Sequence, residues 1–256
     1  MKKILIGIML SVLCLVLSST VLANPLTDAI SKGDMDAVRN ALKKGGNVNS
    51  MGPGKTPALH LAISMGHIDI ARLLIEKKAN LGARDDMGST ALHEAAYRQH
   101  FELVRLLVEK GAKVNEKNNI GHTPFHYAAT DYFSKDDAGD IMLFLIAKGA
   151  KINEKDGKGE TALHGIAQNG KIDLLRILVG KGAEVNAADN EGITALHLSS
   201  GNGETECVQF LIERGADVTI KAKNGMTAMD MALKNGHEET AGILAEAMKK
   251  RSTTSQ

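Results

Sequence analysis

Nine histidines and one cysteine beyond residue 23, Cys207, are the side chains best suited to metal ligation or nucleophilic chemistry in this chain. Five of the histidines, His60, His93, His126, His164 and His197, recur at separations of 33, 33, 38 and 33 residues. That spacing puts each on its own structural unit. Two ligands of one zinc ion must each reach to within about 2 Å of it, whereas stacked helices stand about 8–10 Å apart. The column therefore points to a structural histidine that hydrogen-bonds local backbone and a nearby threonine. His93-Glu94-Ala95-Ala96-Tyr97 falls short of a zinc-protease helix because its last position is Tyr rather than a second ligand. His237-Glu238-Glu239-Thr240-Ala241 fails in the same way. Gly54-Lys55-Thr56 resembles the end of a phosphate-binding loop, but Asn49 stands where its first glycine is required. Cys207 aligns with Leu174, Ile141, Leu103 and Ile70, which makes it a core thiol. No catalytic residue, metal ligand or cofactor site is assigned. A metal protein or enzyme built on the histidine column is the competing reading, separated by the metal content of the purified protein.

The elements that position these residues follow from the period. Thr-Ala-Leu-His occurs at Thr90 to His93, Thr161 to His164 and Thr194 to His197, and as Thr-Pro-Phe-His at Thr123 to His126. The third-position residues Leu59, Leu92, Phe125, Leu163, Leu196 and Met229 are 33, 33, 38, 33 and 33 apart, one period with a five-residue insertion. Gly-Ala-x-Val-Asn endings recur at Gly111, Gly149 (with Ile152), Gly182 and, varied, Gly215. Such regularity marks a repeat array.

Each unit reads as two helices. Thr caps the first, with Pro124 at a first helical position where no N–H is needed. A Gly-His or similar break admits the second helix, and a glycine follows it where a left-handed cap is wanted. A turn or hairpin then leads to the next Thr. Leu73, Leu106, Phe144, Ile177, Phe210 and Ile243 form one apolar column, with Leu74, Leu107, Leu145, Leu178, Leu211 and Leu244 beside it. Only neighbouring units can cover such columns, each side chain contributing about 1.5–3 kcal/mol on burial.

The period, the Thr-Ala/Pro-Leu-His start, the Gly-His break and the Gly-Ala-x-Val-Asn ending together resemble ankyrin repeats. The resemblance implies an all-α ankyrin-repeat solenoid of about seven helix-turn-helix units with projecting hairpin loops, near residues 24–50, 51–83, 84–116, 117–154, 155–187, 188–220 and 221–251. It also implies that another protein is bound through hairpin tips and the first-helix face. Two departures stand out: one extra residue in Gly54-Lys55-Thr56-Pro57, and Lys78 where glycine is expected. Residues 252–256 are expected to form a disordered tail.

Lys2 and Lys3 precede an uncharged apolar stretch from Ile4 to Leu22. Residues 1–23 thus read as a signal peptide cut after Ala23, and the chain as periplasmic or secreted. An uncleaved membrane anchor is the alternative, since about 20 apolar residues span a bilayer. Lipid attachment at Cys14 is disfavoured by the bulk of Leu13. Without Lys2 and Lys3 the 31 basic residues fall to 29 against 30 acidic, so the basic surplus demanded by nucleic acid is missing. With Cys207 alone after cleavage, no internal disulfide can form. The mature chain is expected to be a monomer, off the membrane, with a protein partner.

Carried over position by position, the family's variable hairpin residues are Asp86, Met87 and Ser89; Asn119, Ile120 and His122; Lys158 and Glu160; and Asn190, Glu191 and Ile193. Tyr97, Arg98, Gln168 and Lys234 match the variable first-helix positions. Aromatic placement ranks them: seven of the eight Phe and Tyr lie between residues 97 and 144. Phe101, Phe125 and Phe144 occupy apolar columns and are expected in the core. The insertion sets Tyr132 and Phe133 in a polar loop, so Tyr97, Arg98, Tyr132 and Phe133 form the expected anchor cluster. A loop folded back to bury Phe133 between units is the other reading.

Overall fold

The computed structural model describes residues 24–129 and 137–254. Among them are fourteen α-helices and one 3-10 turn, with no strands, only the isolated bridges Met51–Pro57 and Ala188–Thr194. No helix among the described residues is long and apolar enough to cross a membrane. The described residues divide into two compact units, one ending at Ala79 and the other starting at Asn80.

The first unit holds α1 (Pro25–Ser31), α2 (Met35–Lys43), α3 (Ala58–Ser64) and α4 (Ile68–Glu76). The Asn24 side chain caps α1 by accepting from the Leu26 N–H at 3.0 Å, and Pro25 opens the helix. α1 packs on α2 and α3, and α4 on α2 and α3. Both sequence departures have structural consequences here. The extra hairpin residue becomes a 3-10 turn, Pro53–Lys55, with Gly54 and Lys55 left-handed at φ 63° and 53°, and α3 starts from Pro57 without a side-chain cap. Lys78 adopts the left-handed conformation (φ 62°) that glycine holds elsewhere.

The second unit holds α5 (Ala91–Tyr97), α6 (Phe101–Glu109), α7 (Pro124–Ala128), α8 (Asp137–Ala147), α9 (Ala162–Gln168), α10 (Ile172–Gly180), α11 (Ala195–Gly201), α12 (Thr205–Glu213), α13 (Ala228–Lys234) and α14 (Glu238–Thr254). Its first helices, α5, α7, α9, α11 and α13, pack each on the next, as do its second helices from α6 to α14. The helix α14 runs through Thr254, so Ser252 to Thr254, expected in a disordered tail, continue the helix, Lys249 to Thr254 holding no Gly or Pro to break it; residues 255–256 lie outside the described residues.

One of the two apolar columns carries the seam. Leu107, Leu145, Leu178, Leu211 and Leu244 are all at 0% exposure. In the companion column only Phe210 is buried in this unit, while Leu106, Phe144, Ile177 and Ile243 are half-buried. Adjacent helical residues point about 100° apart, so only one of each pair faces the seam squarely. The aromatic core divides likewise: Phe125 is buried, but Phe101 and Phe144, expected in the core, are half-buried and meet edge to face at 5.9 Å. The Arg176 and Arg214 guanidinium groups both lie over the Phe210 ring, 4.7 and 4.8 Å from its centre.

Within residues 80–256 the asparagine of the repeated ending ties three repeats each to the one that follows. Asn153 Nδ2 donates to the Gly182 carbonyl (3.2 Å) and its Oδ1 accepts from the Glu184 N–H (2.9 Å); Asn115 and Asn186 repeat the arrangement. Replacing Asn153 with Ala removes two such bonds and should lower stability by about 1–2 kcal/mol in urea unfolding, with little change in the slope.

Cys207 lies in the core of this unit, 1% exposed, and burial pushes its thiol up to about 11. A thiol-specific reagent at neutral pH should therefore modify it only as fast as the fold opens. Mass analysis of the labelled peptide should show protection in buffer and rapid reaction in denaturant.

Candidate functional site

Four of the five column histidines are built into capped helix starts, the exception being His60, whose helix starts from Pro57, a residue with no N–H to donate. The backbone N–H of Thr90 donates to His93 Nδ1 at 3.0 Å, and the same bond joins Thr123 to His126 (3.2 Å), Thr161 to His164 (3.1 Å) and Thr194 to His197 (3.2 Å). Each pair closes a reciprocal capping box. In the last unit Asp230 replaces histidine and accepts from Thr227 at 2.8 Å. His93 Nε2 donates to the His122 carbonyl and His164 Nε2 to the Ile193 carbonyl, both at 3.1 Å, linking each helix start to the following hairpin. Burial holds these rings neutral: it pushes His93 and His126 down to about 4 and lowers His164 and His197. No group of three or more His, Cys, Asp or Glu among the described residues is placed to hold a metal ion.

The hairpins are set by aspartate and asparagine turns. Asp85 Oδ1 accepts from the Met87 and Ser89 N–H groups at 2.9 and 2.8 Å, and Asn118 Oδ1 does the same for Ile120 and His122 at 3.1 and 3.0 Å. Successive hairpins dock through the Asn119 N–H on the Met87 carbonyl, 3.0 Å, and Asn119 Nδ2 on the Asp86 carbonyl, 3.1 Å. Gly88, at φ 72°, makes this approach possible, because a Cβ there would stand 2.3 Å from Asn119 Oδ1. Met87 and Ile120 are thereby carried side by side on the tips, 53% and 46% exposed.

Between these tips and helices α5 and α7 lies a concavity of about 380 Å³. Tyr97 and Tyr127 line it edge to face, ring centres 5.6 Å apart, together with His93 and His122. Met87 and Ile120 form its apolar rim, and Asp85 and Glu94 contribute carboxylates. The Tyr127 hydroxyl accepts from Asn118 Nδ2 (3.1 Å), which also reaches Ser89 Oγ (3.2 Å), so one side chain braces floor and wall. His122 Nε2 stands 3.1 Å from Asp156 Oδ2, and the ring stacks on His126 at 5.4 Å.

Of the residues nominated from sequence, Met87, Ser89, Tyr97, Ile120 and His122 come together here. Ser89, however, is 6% exposed and hydrogen-bonded, a supporting residue rather than a contact. Arg98 stands beside the pocket, its Nε 2.9 Å from Glu94 Oε1 and its guanidinium 5.7 Å from the Tyr97 ring centre. Asp86 and Asn119 are exposed but spend polar groups on hairpin docking. Lys158 and Glu160 belong to the next hairpin, outside the concavity, where Lys158 accepts from the Asn190 N–H. Tyr132 and Phe133, with the rest of 130–136, lie outside the described residues, as do 1–23 and the proposed cleavage after Ala23. Tyr127, an aromatic that the sequence leaves outside the core columns but not in the anchor cluster, lines the concavity, as do Glu94 and Asp85, which the sequence does not single out. The signal for the first two is the position after the column histidine, which reads Leu61, Glu94, Tyr127, Gly165 and Leu198 while the histidine before it stays the same.

A family model for ankyrin repeats, three copies in length, matches residues 11–85, 79–156, 132–222 and 163–254. No curated protein matches the chain. Ankyrin repeats are in general protein–protein interaction modules. Paired helices in register, threonine–histidine capping boxes and asparagine-docked hairpins agree with a match spanning nearly the whole length: the chain belongs to the ankyrin-repeat family.

Proposed function

We propose that this chain is a non-catalytic, monomeric scaffold, exported to the periplasm or beyond, that seats one protein partner on the face formed by α5, α7 and the hairpins at 85–89 and 118–122. The observation that carries the reading is the pairing of two half-exposed aliphatic side chains, Met87 and Ile120, with a tyrosine-lined concavity. Exposed apolar surface beside rigid aromatic rings is the composition of binding hot spots. The rings are held by capping boxes and hairpin hydrogen bonds, so little ordering remains to be done on association.

A photo-crosslinking side chain at Ile120, introduced in the native cell, should give a discrete adduct that disappears when Tyr127 is replaced with Ala. Adduct formation from a probe at exposed Arg105 on α6, with none at Ile120, would move the seat to the other helix layer. Export is supported by the Lys2-Lys3 start and the apolar stretch to Leu22. The mature protein should begin at Asn24 in intact mass. A mass that retains Met1 would replace the exported scaffold with a membrane-tethered adaptor.

A further inference from the structure

We propose that the tyrosine-lined pocket receives a cationic side chain, lysine or arginine, presented by the partner polypeptide. The inference rests on the reading of this face as the partner's seat and adds the chemistry that the seat selects.

Charge is the first argument. Asp85 and Glu94 line the pocket, and no lysine or arginine does. His93, the other lining group within the capping box, is held neutral by burial, pushed down to about 4. Each carboxylate has one oxygen committed: Asp85 Oδ1 to the turn N–H groups and Glu94 Oε1 to Arg98. Among the described residues Asp85 Oδ2 and Glu94 Oε2 receive no hydrogen bond.

Ring chemistry is the second. Tyr97 and Tyr127 supply electron-rich π systems at the same place, and a desolvated cation near such rings is attracted to their faces. The molecule already contains an example: the Arg98 guanidinium sits against both the Tyr97 ring and the Glu94 carboxylate at the pocket's edge. Met87 and Ile120 offer an apolar rim along which the methylene stem of a lysine or arginine can lie while its head group passes inward. A neutral aliphatic side chain would desolvate the two carboxylate oxygens without replacing their water, and an acidic one would be repelled.

The experiment uses the full mature chain with ring-labelled tyrosine, which gives three signals, for Tyr97, Tyr127 and Tyr132, assigned by single Tyr→Phe variants. The probes are blocked pentapeptides with Lys, norleucine or Glu at the centre of four glycines. The Lys peptide should shift the Tyr97 and Tyr127 signals saturably. The norleucine peptide should bind at least about tenfold more weakly, and the Glu peptide should leave the signals unmoved. The double variant Asp85→Asn, Glu94→Gln keeps the turn and Arg98 acceptors and should remove the preference for Lys over norleucine. Equal binding of Lys and norleucine peptides, an undiminished preference in the double variant, or no response of Tyr97 and Tyr127 to any peptide would each overturn the proposal. The cellular adduct at Ile120 reports on the seat separately: an adduct unchanged in the double variant refutes cation selection and leaves the seat standing, while absence of any adduct in the parent protein refutes the seat.

Discussion

Lowering the pH from 7 to 4 should remove on the order of 6 kcal/mol of stability from residues 80–256 through His93 and His126 alone, about 3 kcal/mol for each. Burial is the main cause in both, pushing them down to about 4 from the ordinary imidazole value of 6.5, and His122 beside His126 acts in the same direction. Between these values the unfolded chain binds protons that the folded chain refuses, so stability falls as pH falls, starting near 6.5 and levelling off below 4. His164 and His197 are lowered for the same reason and add to the loss. Asp217 and Asp230, held below the usual carboxylate range first by hydrogen bonds from the Thr219 and Thr227 backbones, extend the decline to more acid pH. Against a typical domain stability of about 5–15 kcal/mol, the loss through these two histidines is between about two-fifths and all of it. Urea unfolding followed by circular dichroism at pH 7, 5.5 and 4.5 should show the midpoint falling steeply. The double variant His93→Gln, His126→Gln should start less stable, having weaker capping boxes, but show a shallower pH slope. A parent slope no steeper than that of the variant would mean that these rings are protonated in the fold.

The histidines also show why the repeat fold was legible in the sequence. One repeated Thr-x-x-His specifies a capping box whose geometry depends on four consecutive residues, and it recurs at a fixed interval, so local chemistry and long-range packing give the same register. The binding face was legible only in part. Met87 and Ile120 could be placed on hairpin tips by counting, because asparagine and aspartate turns fix which residues project. Ser89 could not be told from a contact residue, since its burial depends on Asn118 of the next hairpin. Tyr127 does not stand out within its repeat for a related reason: its ring meets Tyr97 across two helices, a contact between repeats that no single repeat encodes. The two columns of the second helices likewise look equivalent in sequence and differ only in their angle to the seam.

Phe125→Ala should cost about 3–5 kcal/mol and should act locally. Phe125 is 1% exposed on α7, which spans only Pro124–Ala128, a little over one turn. A helix so short has no stability of its own in water and exists because its neighbours hold it. In a stack stabilised by nearest-neighbour contacts, the loss should concentrate in the repeats that touch α7. Hydrogen exchange should therefore quicken most across residues 84–154. Tyr127, two positions along the same helix, should lose its place beside Tyr97, so the adduct at Ile120 should vanish too. Phe210→Ala is the matched control: Phe210 is 2% exposed, of the same bulk, and lies on α12, far along the stack from α7. It should cost a similar amount, quicken exchange around residues 172–251 and leave the Ile120 adduct in place. If both variants instead raised exchange evenly over residues 80–256 and both abolished the adduct, the unit would be opening as one block, and the integrity of the seat would depend on total stability rather than on the repeats that form it.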